Sequence, residues 1–242
     1  MNATVAALTA RSLLGRRRAL LLLVLAGVIL ALAVISRLLA GQDADVTVLV
    51  LGGFALGTLV PLLGLIAGTG AIGPEIDDGS IVYLLSKPLS RLSIVLSKLV
   101  VALGVVVTFA VLPTLVAGLI LSGTSDRLAV GYALAALVAG TAYCALFLAL
   151  AVITRHAVVV GLLYALIWET LVGNLVPGAQ ALSIQQWSLA LTEKVVGARS
   201  AELGITSAVG LGTAVPLLLL VIIGFTWYAG WRLRSLRLTD AE

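Results

Sequence analysis

One compact charged island, set between two long uncharged stretches, constrains this chain more than any other feature. Residues 46–74 and 99–125 carry no Asp, Glu, Lys or Arg. Residues 73–98, GPEIDDGSIVYLLSKPLSRLSIVLSK, carry six: Glu75, Asp77, Asp78, Lys87, Arg91 and Lys98. A helix needs about 20 mostly apolar residues to cross a bilayer core, so each flank is long enough to span. The island is then a loop at one membrane face. It is too long for a simple turn and is made of helix-forming residues, which suits it to meeting a soluble partner.

Composition excludes a soluble globular domain. Hydrophobic residues make up 61% of the chain and charged residues 11%, with a mean hydropathy of +1.20. A soluble domain carries roughly 25% charged residues, so most of this surface must face lipid. The net charge of +4 matters less than where the charges fall. The single cysteine, Cys144, and single histidine, His156, rule out an intrachain disulfide and a cysteine- or histidine-rich metal cluster.

Six segments read as membrane helices: residues 19–40, 46–72, 99–121, 129–153, 157–176 and 208–231. The expected fold class is therefore all-α integral membrane, a single domain over residues 1–242. The first span follows Arg16, Arg17 and Arg18 and resembles a secretory signal with Ala31-Leu32-Ala33 as its cleavage site, but the long basic leader favours a retained helix. Residues 3–14, within the lead-in 1–18, are mildly amphipathic. They are expected to lie along the membrane surface as an interfacial helix, with a frayed terminus as the alternative.

Lys and Arg in the flanks set the orientation. With the N-terminus inside, the inner side holds Arg11, Arg16, Arg17, Arg18, Lys87, Arg91, Lys98, Arg155, Arg232, Arg234 and Arg237. The outer side holds only Arg37, Arg127, Lys194 and Arg199. Both termini and the island are thus expected in the cytoplasm. Trp227, Tyr228 and Trp231 fit this, as interfacial aromatics just before the last arginines.

The second span places Gly53, Gly57, Pro61, Gly64 and Gly68 on one face. Small residues let helix backbones approach closely in lipid, and Pro61 should kink the helix. Tight packing inside the monomer and a moving seam that lines a pathway are both open readings of that face. Residues 177–207 form the one substantial outer segment. Ile184, Trp187, Leu191 and Val195 recur there at helical spacing, predicting a short interfacial helix with Gln185, Gln186, Glu193 and Lys194 towards water. Glu169 lies within the fifth span. An intramembrane carboxylate is a candidate for the pathway or an outer gate; its bland alternative is reaching water or capturing backbone amides where the chain turns at Asn174–Gly178.

Several chemistries are missing. The chain has no G-x-x-x-x-G-K-[ST] phosphate loop, no G-x-S-x-G elbow and no H-E-x-x-H pair. It is not expected to be an enzyme or to hold a cofactor or metal of its own. No nucleic-acid partner is indicated. Ion-coupled transporters usually bury several ionisable groups near mid-membrane, and here only Glu169 qualifies. The chain has spans without an energy source.

At the island the sequence resembles the membrane subunit of ATP-binding-cassette (ABC) transporters of the type 2 permease family. The resemblance rests on Glu75 followed by Gly79-Ser80, then Leu84-Leu85-Ser86, then Pro88-Leu89-Ser90-Arg91, with Ser97-Lys98 at the start of the third span. It extends to the basic lead-in, the six spans, the outer segment and the Trp168-Glu169 step before Pro177-Gly178. Ser80 stands where Thr is commoner, Asp77-Asp78 where Glu or Arg is usual, and Pro74 precedes the Glu. The resemblance implies that residues 75–91 form a cytoplasmic coupling helix docking on a separate ATPase subunit, which binds ATP and Mg. Asp77 and Asp78 would favour its N-terminus, Ile81, Leu84 and Leu85 would give an apolar contact face, and Pro88 would end it. Thr154-Arg155-His156 would add a second contact. It further implies pairing with a second permease copy or paralogue, export, and a bacterial plasma membrane. The competing class is an ATPase-independent secondary transporter or substrate-binding membrane module, which would not need the Glu75–Arg91 pattern.

The orientation is directly testable. In a Cys144→Ala background, single cysteines replacing Ser122 and Gln180 should react with an impermeant thiol reagent added outside intact cells. A cysteine replacing Ser80 should not, and its labelling would reverse the topology.

Overall fold

The computed structural model describes residues 3–81, 90–123, 127–172 and 180–235, and every regular element among them is helical. In chain order they are α1 (Ala3–Leu13), α2 (Arg16–Ala40), α3 (Ala44–Asp77), α4 (Arg91–Ser122) and α5 (Leu128–Ile153), followed by α6 (Ala157–Leu163, continued by Tyr164–Val172), α7 (Ile184–Val196) and α8 (Leu211–Ser235). Arg18–Ala40, Ala44–Asp77, Arg91–Ser122, Leu128–Ile153 and Leu211–Leu233 are each long and apolar enough to cross a membrane. Ala157–Glu169 adds a shorter apolar helix. The molecule is a multi-span helical membrane protein.

Two spans are longer than their hydrophobic stretches suggested. α3 has 34 residues and α4 has 32. At 1.5 Å per residue each is about 50 Å long, against a hydrocarbon core of about 30 Å. Both therefore run on into the charged island. Each also carries a proline, Pro61 or Pro113, and each answers it in the same way. A helical proline lacks the amide donor, and its ring collides with the carbonyl four residues back. The residue before each proline accordingly bonds five residues back, Val60 to Ala55 O and Leu112 to Val107 O. Wide π-type turns over Leu49–Leu59 and Val107–Val111 thus take up the strain.

α5 occupies the centre. Buried residues such as Ala142, Tyr143, Cys144 and Ala145 lie on all its sides, and it packs against α3, α4, α7 and α8. The glycine face of α3 seats it there. A Cβ on Gly64 would stand 2.6 Å from Tyr143 Cβ, and one on Gly68 would stand 2.9 Å from the Cys144 carbonyl. Only glycine allows that approach. Gly57 lies under the Gln185 amide, whereas Gly53 is exposed. Of the two readings of this face, packing within the chain accounts for Gly57, Gly64 and Gly68.

α1 is helical, and it docks on the protein: Val5, Thr9 and Leu13, spaced four apart, are buried against α3 and α4. α7 also forms over the expected residues, but one of its side chains points the other way. Gln185 does not face water; its Nε2 donates to the Gly52 carbonyl at 3.1 Å, in the space that Gly57 leaves open. Thr192 likewise donates to Gly131 O at 3.2 Å on α5. Gln186 and Glu193 instead hold the chain leading to α8, accepting from Ala208 N and from Ser207. The helices alternate in direction. One end gathers α1, the C-terminal end of α3, the start of α4 and the end of α8, where Leu92 lies against Gly230. At the opposite end Arg37 donates to Leu121 O at 3.2 Å. The first is called the basic end below.

The α3–α5 seam gives a paired test. Gly64→Ala and Gly68→Ala force methyl groups into backbone-lined contacts and should each cost about 1–3 kcal/mol. Gly53→Ala meets only Leu49 Cδ1 at 3.8 Å, and should be neutral or stabilise by up to about 1 kcal/mol through helix propensity. Thermal melting of the purified protein in detergent reads the contrast. Equal melting of all three variants would show the seam to be loose.

Candidate functional site

The charged island is not built as one helix from Glu75 to Arg91. α3 continues through Pro74, so Glu75 and Asp77 belong to its last turn and Asp78 is its C-cap. The expectation that Asp77 and Asp78 open a helix is corrected accordingly: they close one. The turn is fixed by Asp78 N bonding Pro74 O at 2.9 Å and Gly79 N bonding Ile76 O at 3.2 Å. Gly79 has φ +69°, a left-handed conformation costly for other residues, while a Cβ there would meet nothing within 4 Å. Its requirement is the bend and not close approach. Ser80 is exposed, its hydroxyl 3.5 Å from Glu75 O.

Ile81 resumes the helical conformation and is 7% exposed, packed into the chain's own core. It is therefore unavailable for the partner-facing apolar surface expected of it. Leu84, Leu85 and Pro88 lie outside the described residues. The far side of the island is again ordered by capping: Ser90 Oγ accepts from Ser93 N at 3.3 Å, and Arg91 is the first residue of α4.

Between these ends lies the main polar contact of the region. Lys98, two turns into α4, has 0% side-chain exposure. Its Nζ donates to Glu75 Oε1 at 2.6 Å, to Ala71 O at 2.7 Å and to Thr9 Oγ1 at 3.4 Å. A buried ammonium is tolerated only when paired and hydrogen-bonded, and here all three of its protons find acceptors. The three acceptors come from α1 and α3, so one cation ties three helices together. Lys98 and Thr9 were not among the site residues read from the sequence. The available signal was a lone lysine at the boundary of an uncharged run, with a glutamate across the island.

Glu169 lies far from this cluster and is fully buried. Its Oε1 accepts from Ile184 N at 3.1 Å and from the Tyr164 hydroxyl at 3.2 Å, and its Oε2 accepts from the Ser183 hydroxyl. Ser183 is the N-cap of α7 and in turn accepts from Gln186 N at 3.3 Å. The carboxylate therefore sits where a helix N-terminus offers free amides and favourable dipole charge. It pins α7 to α6. Backbone capture was the bland alternative for this residue; the amide it takes is that of Ile184, while residues 174–178 lie outside the described residues. Arg155 is exposed on the α5–α6 connection and borders the same cavity as Asp77.

The Lys98–Glu75 pair makes an asymmetric prediction. Removing one partner of a buried pair costs about 3–5 kcal/mol, because the other charge is stranded. Glu75 retains 27% side-chain exposure and can turn to water, whereas Lys98 cannot. Glu75→Leu should therefore lower the melting temperature more than Lys98→Met, and the double variant should recover most of the loss. Equal or additive effects would show that the pair does not act as a unit.

No curated protein and no solved structure matches the chain. The family model described as ABC-2 family transporter protein matches residues 54–195, which include α3 from Phe54, the island, α4, α5, α6 and most of α7. That match takes in more than half of the chain and contains the Glu75–Arg91 pattern, the central α5 and the Glu169 cap together, so the protein is a multi-span membrane component of the ABC-2 transporter family.

Proposed function

We propose that this chain is the permease subunit of an ABC exporter, forming the substrate pathway with a second copy or a paralogue and driven by separate ATPase subunits that bind ATP and Mg. The reading is carried by the Lys98 cluster. It sits at the root of the charged island and joins α1, α3 and α4 through one buried cation. A push on the island is thereby delivered to two spans and the lead-in helix at once. In this scheme the ATPase docks on Asp77, Asp78, Gly79, Ser80 and Arg91, with Leu84, Leu85 and Pro88 supplying the apolar part and Arg155 a second contact. Glu75 acts from behind, holding the island on Lys98.

The eleven-to-four distribution of basic residues supports a cytoplasmic basic end and cytoplasmic termini, and the membrane is read as a bacterial plasma membrane. The whole chain, 1–242, is taken as a single permease domain. On the outer side Glu169 would set the position of α7 against α6, and so the shape of the outer gate. The family's membrane component is not itself catalytic, in keeping with energy supplied from outside the chain.

The test separates docking from folding. Asp78 and Gly79 are exposed and lie outside the Lys98 cluster. Asp78→Arg reverses a charge, and Gly79→Val places a β-branched residue at φ +69°, costing about 1–2 kcal/mol locally. Both variants should insert, Asp78→Arg melting like the wild type and Gly79→Val a few degrees lower, yet each should recover several-fold less ATPase subunit on purification and hydrolyse ATP without matching transport. Normal ATPase recovery and transport in both would overturn the docking assignment. ATP hydrolysis by the isolated chain would overturn the division of labour.

A further inference from the structure

At the basic end a cavity of about 340 Å³ opens between α2, α3 and the connection from α5 to α6. Ligand pockets begin at about this size. Three kinds of group meet there. Arg18 and Arg155 both line it, and neither makes an ion pair or hydrogen bond among the described residues. Asp77 lines it as well, likewise without such a partner. The side that faces the bilayer is apolar, with Leu21, Val158 and Val159 56%, 58% and 58% exposed.

The arginines are not free to move away equally. Arg18 is half-buried, and its Nη1 lies 3.3 Å from where a Cβ of Gly70 would stand. The missing side chain lets the guanidinium lie directly on α3. A partly desolvated guanidinium wants a planar or tetrahedral oxyanion, and two of them at one site suit phosphate. Phosphate alone leaves Asp77 facing an anion at close quarters. An ammonium on the same ligand removes that conflict. Basic pockets between spans at a membrane surface are fitted to lipid headgroups, and the exposed leucine and valines continue the site into the acyl region.

We propose that this cavity holds the headgroup of an amine-bearing phospholipid. The phosphate lies on Arg18 and Arg155, the ammonium is directed to Asp77, and the upper acyl chain runs along Leu21, Val158 and Val159. The proposal goes beyond the transport reading and does not depend on it, since it needs only the membrane and the basic end; Asp77 and Arg155 stand in both, so the lipid would compete with the ATPase for these two side chains. A bound lipid here would wedge α2 and α6 apart where both leave the bilayer, next to the last turn of α3.

Retained lipid tests it without any ATPase or transport measurement. The full chain is reconstituted into vesicles holding equal amounts of phosphatidylethanolamine and phosphatidylglycerol, re-extracted in mild detergent, and its tightly bound lipid is weighed by native mass spectrometry. Phosphatidylethanolamine should be enriched about fivefold or more, the scale of one charge-assisted contact. Asp77→Asn should abolish the enrichment, and Arg18→Gln with Arg155→Gln should lower retention of both lipids. Gly73→Leu is the check against simple misfolding. A Cβ at Gly73 meets nothing within 4 Å, and the residue borders the cavity, so the new side chain fills the site with all its charges intact. It should cut retention while leaving the melting temperature unchanged. Bound lipid at the ratio supplied, or equal retention in the wild type and Gly73→Leu, would overturn the proposal. Complete displacement of lipid by millimolar inorganic phosphate would also overturn it and make the site one for free phosphate.

Discussion

The close contact between α3 and α5 organises the rest of the molecule. Lipid offers no hydrophobic drive for helices to associate, so their cohesion comes from dispersion at short range and from polar contacts. Dispersion falls away within an ångström of optimal separation. Gly64 and Gly68 remove the side chains that would hold α5 off, bringing Tyr143, Cys144 and Phe147 directly onto the α3 backbone. Once α5 is seated, α7 and α8 pack against it, and Gly131 offers its carbonyl to Thr192. The prolines fit the same design. Pro61 and Pro113 follow widened turns, which carry the long spans past each proline without a break in the helix.

Two of the polar contacts are clusters about a buried charge, and they sit at opposite ends. Each has one buried charge at its centre with acceptors or donors drawn from separate helices. At the basic end Lys98 gathers Thr9, Ala71 and Glu75. At the other Glu169 gathers Tyr164, Ser183 and Ile184. In a medium of low dielectric such a charge is costly unless every bond is made, so each cluster holds its helices in one relative placement. Both clusters lie where spans meet the segments that join them. Under the proposed function that placement is useful: α3 and α4 would move with the island, and α6 with α7. Between the clusters the core is almost wholly apolar and close-packed, which suits it to transmit a displacement.

Much of the architecture was legible in the sequence because lipid imposes a simple rule. A backbone in hydrocarbon must satisfy its own amides, so long apolar runs become helices. The spans, the lead-in helix and α7 follow from that rule and from periodicity, and the glycine face of α3 was visible as spacing. The island's chemistry was partly legible too, since Glu75, Gly79 and Arg91 stand out by type and order. Its boundaries were not. Pro74 reads locally as a break, yet α3 passes through it to Asp77 because α1 and α4 pack on either side. Gln185 reads as solvent-facing on polarity alone, but Gly57 of α3 leaves a slot that its amide fills.

The sequence by itself determined that this is an all-helical, multi-span chain with one charged segment set apart at a basic end. It did so because hydrophobic length and charge placement are one-dimensional quantities. Tertiary structure alone decided which charges meet. Lys98 and Glu75 are separated by the whole island, and Glu169 by residues 173–179 from the helix it caps. Arg18, Asp77 and Arg155 come from three separate parts of the chain to border one cavity. Pairing of this kind depends on the angle at which helices cross and on how closely glycine lets them approach. Neither is written in any single segment.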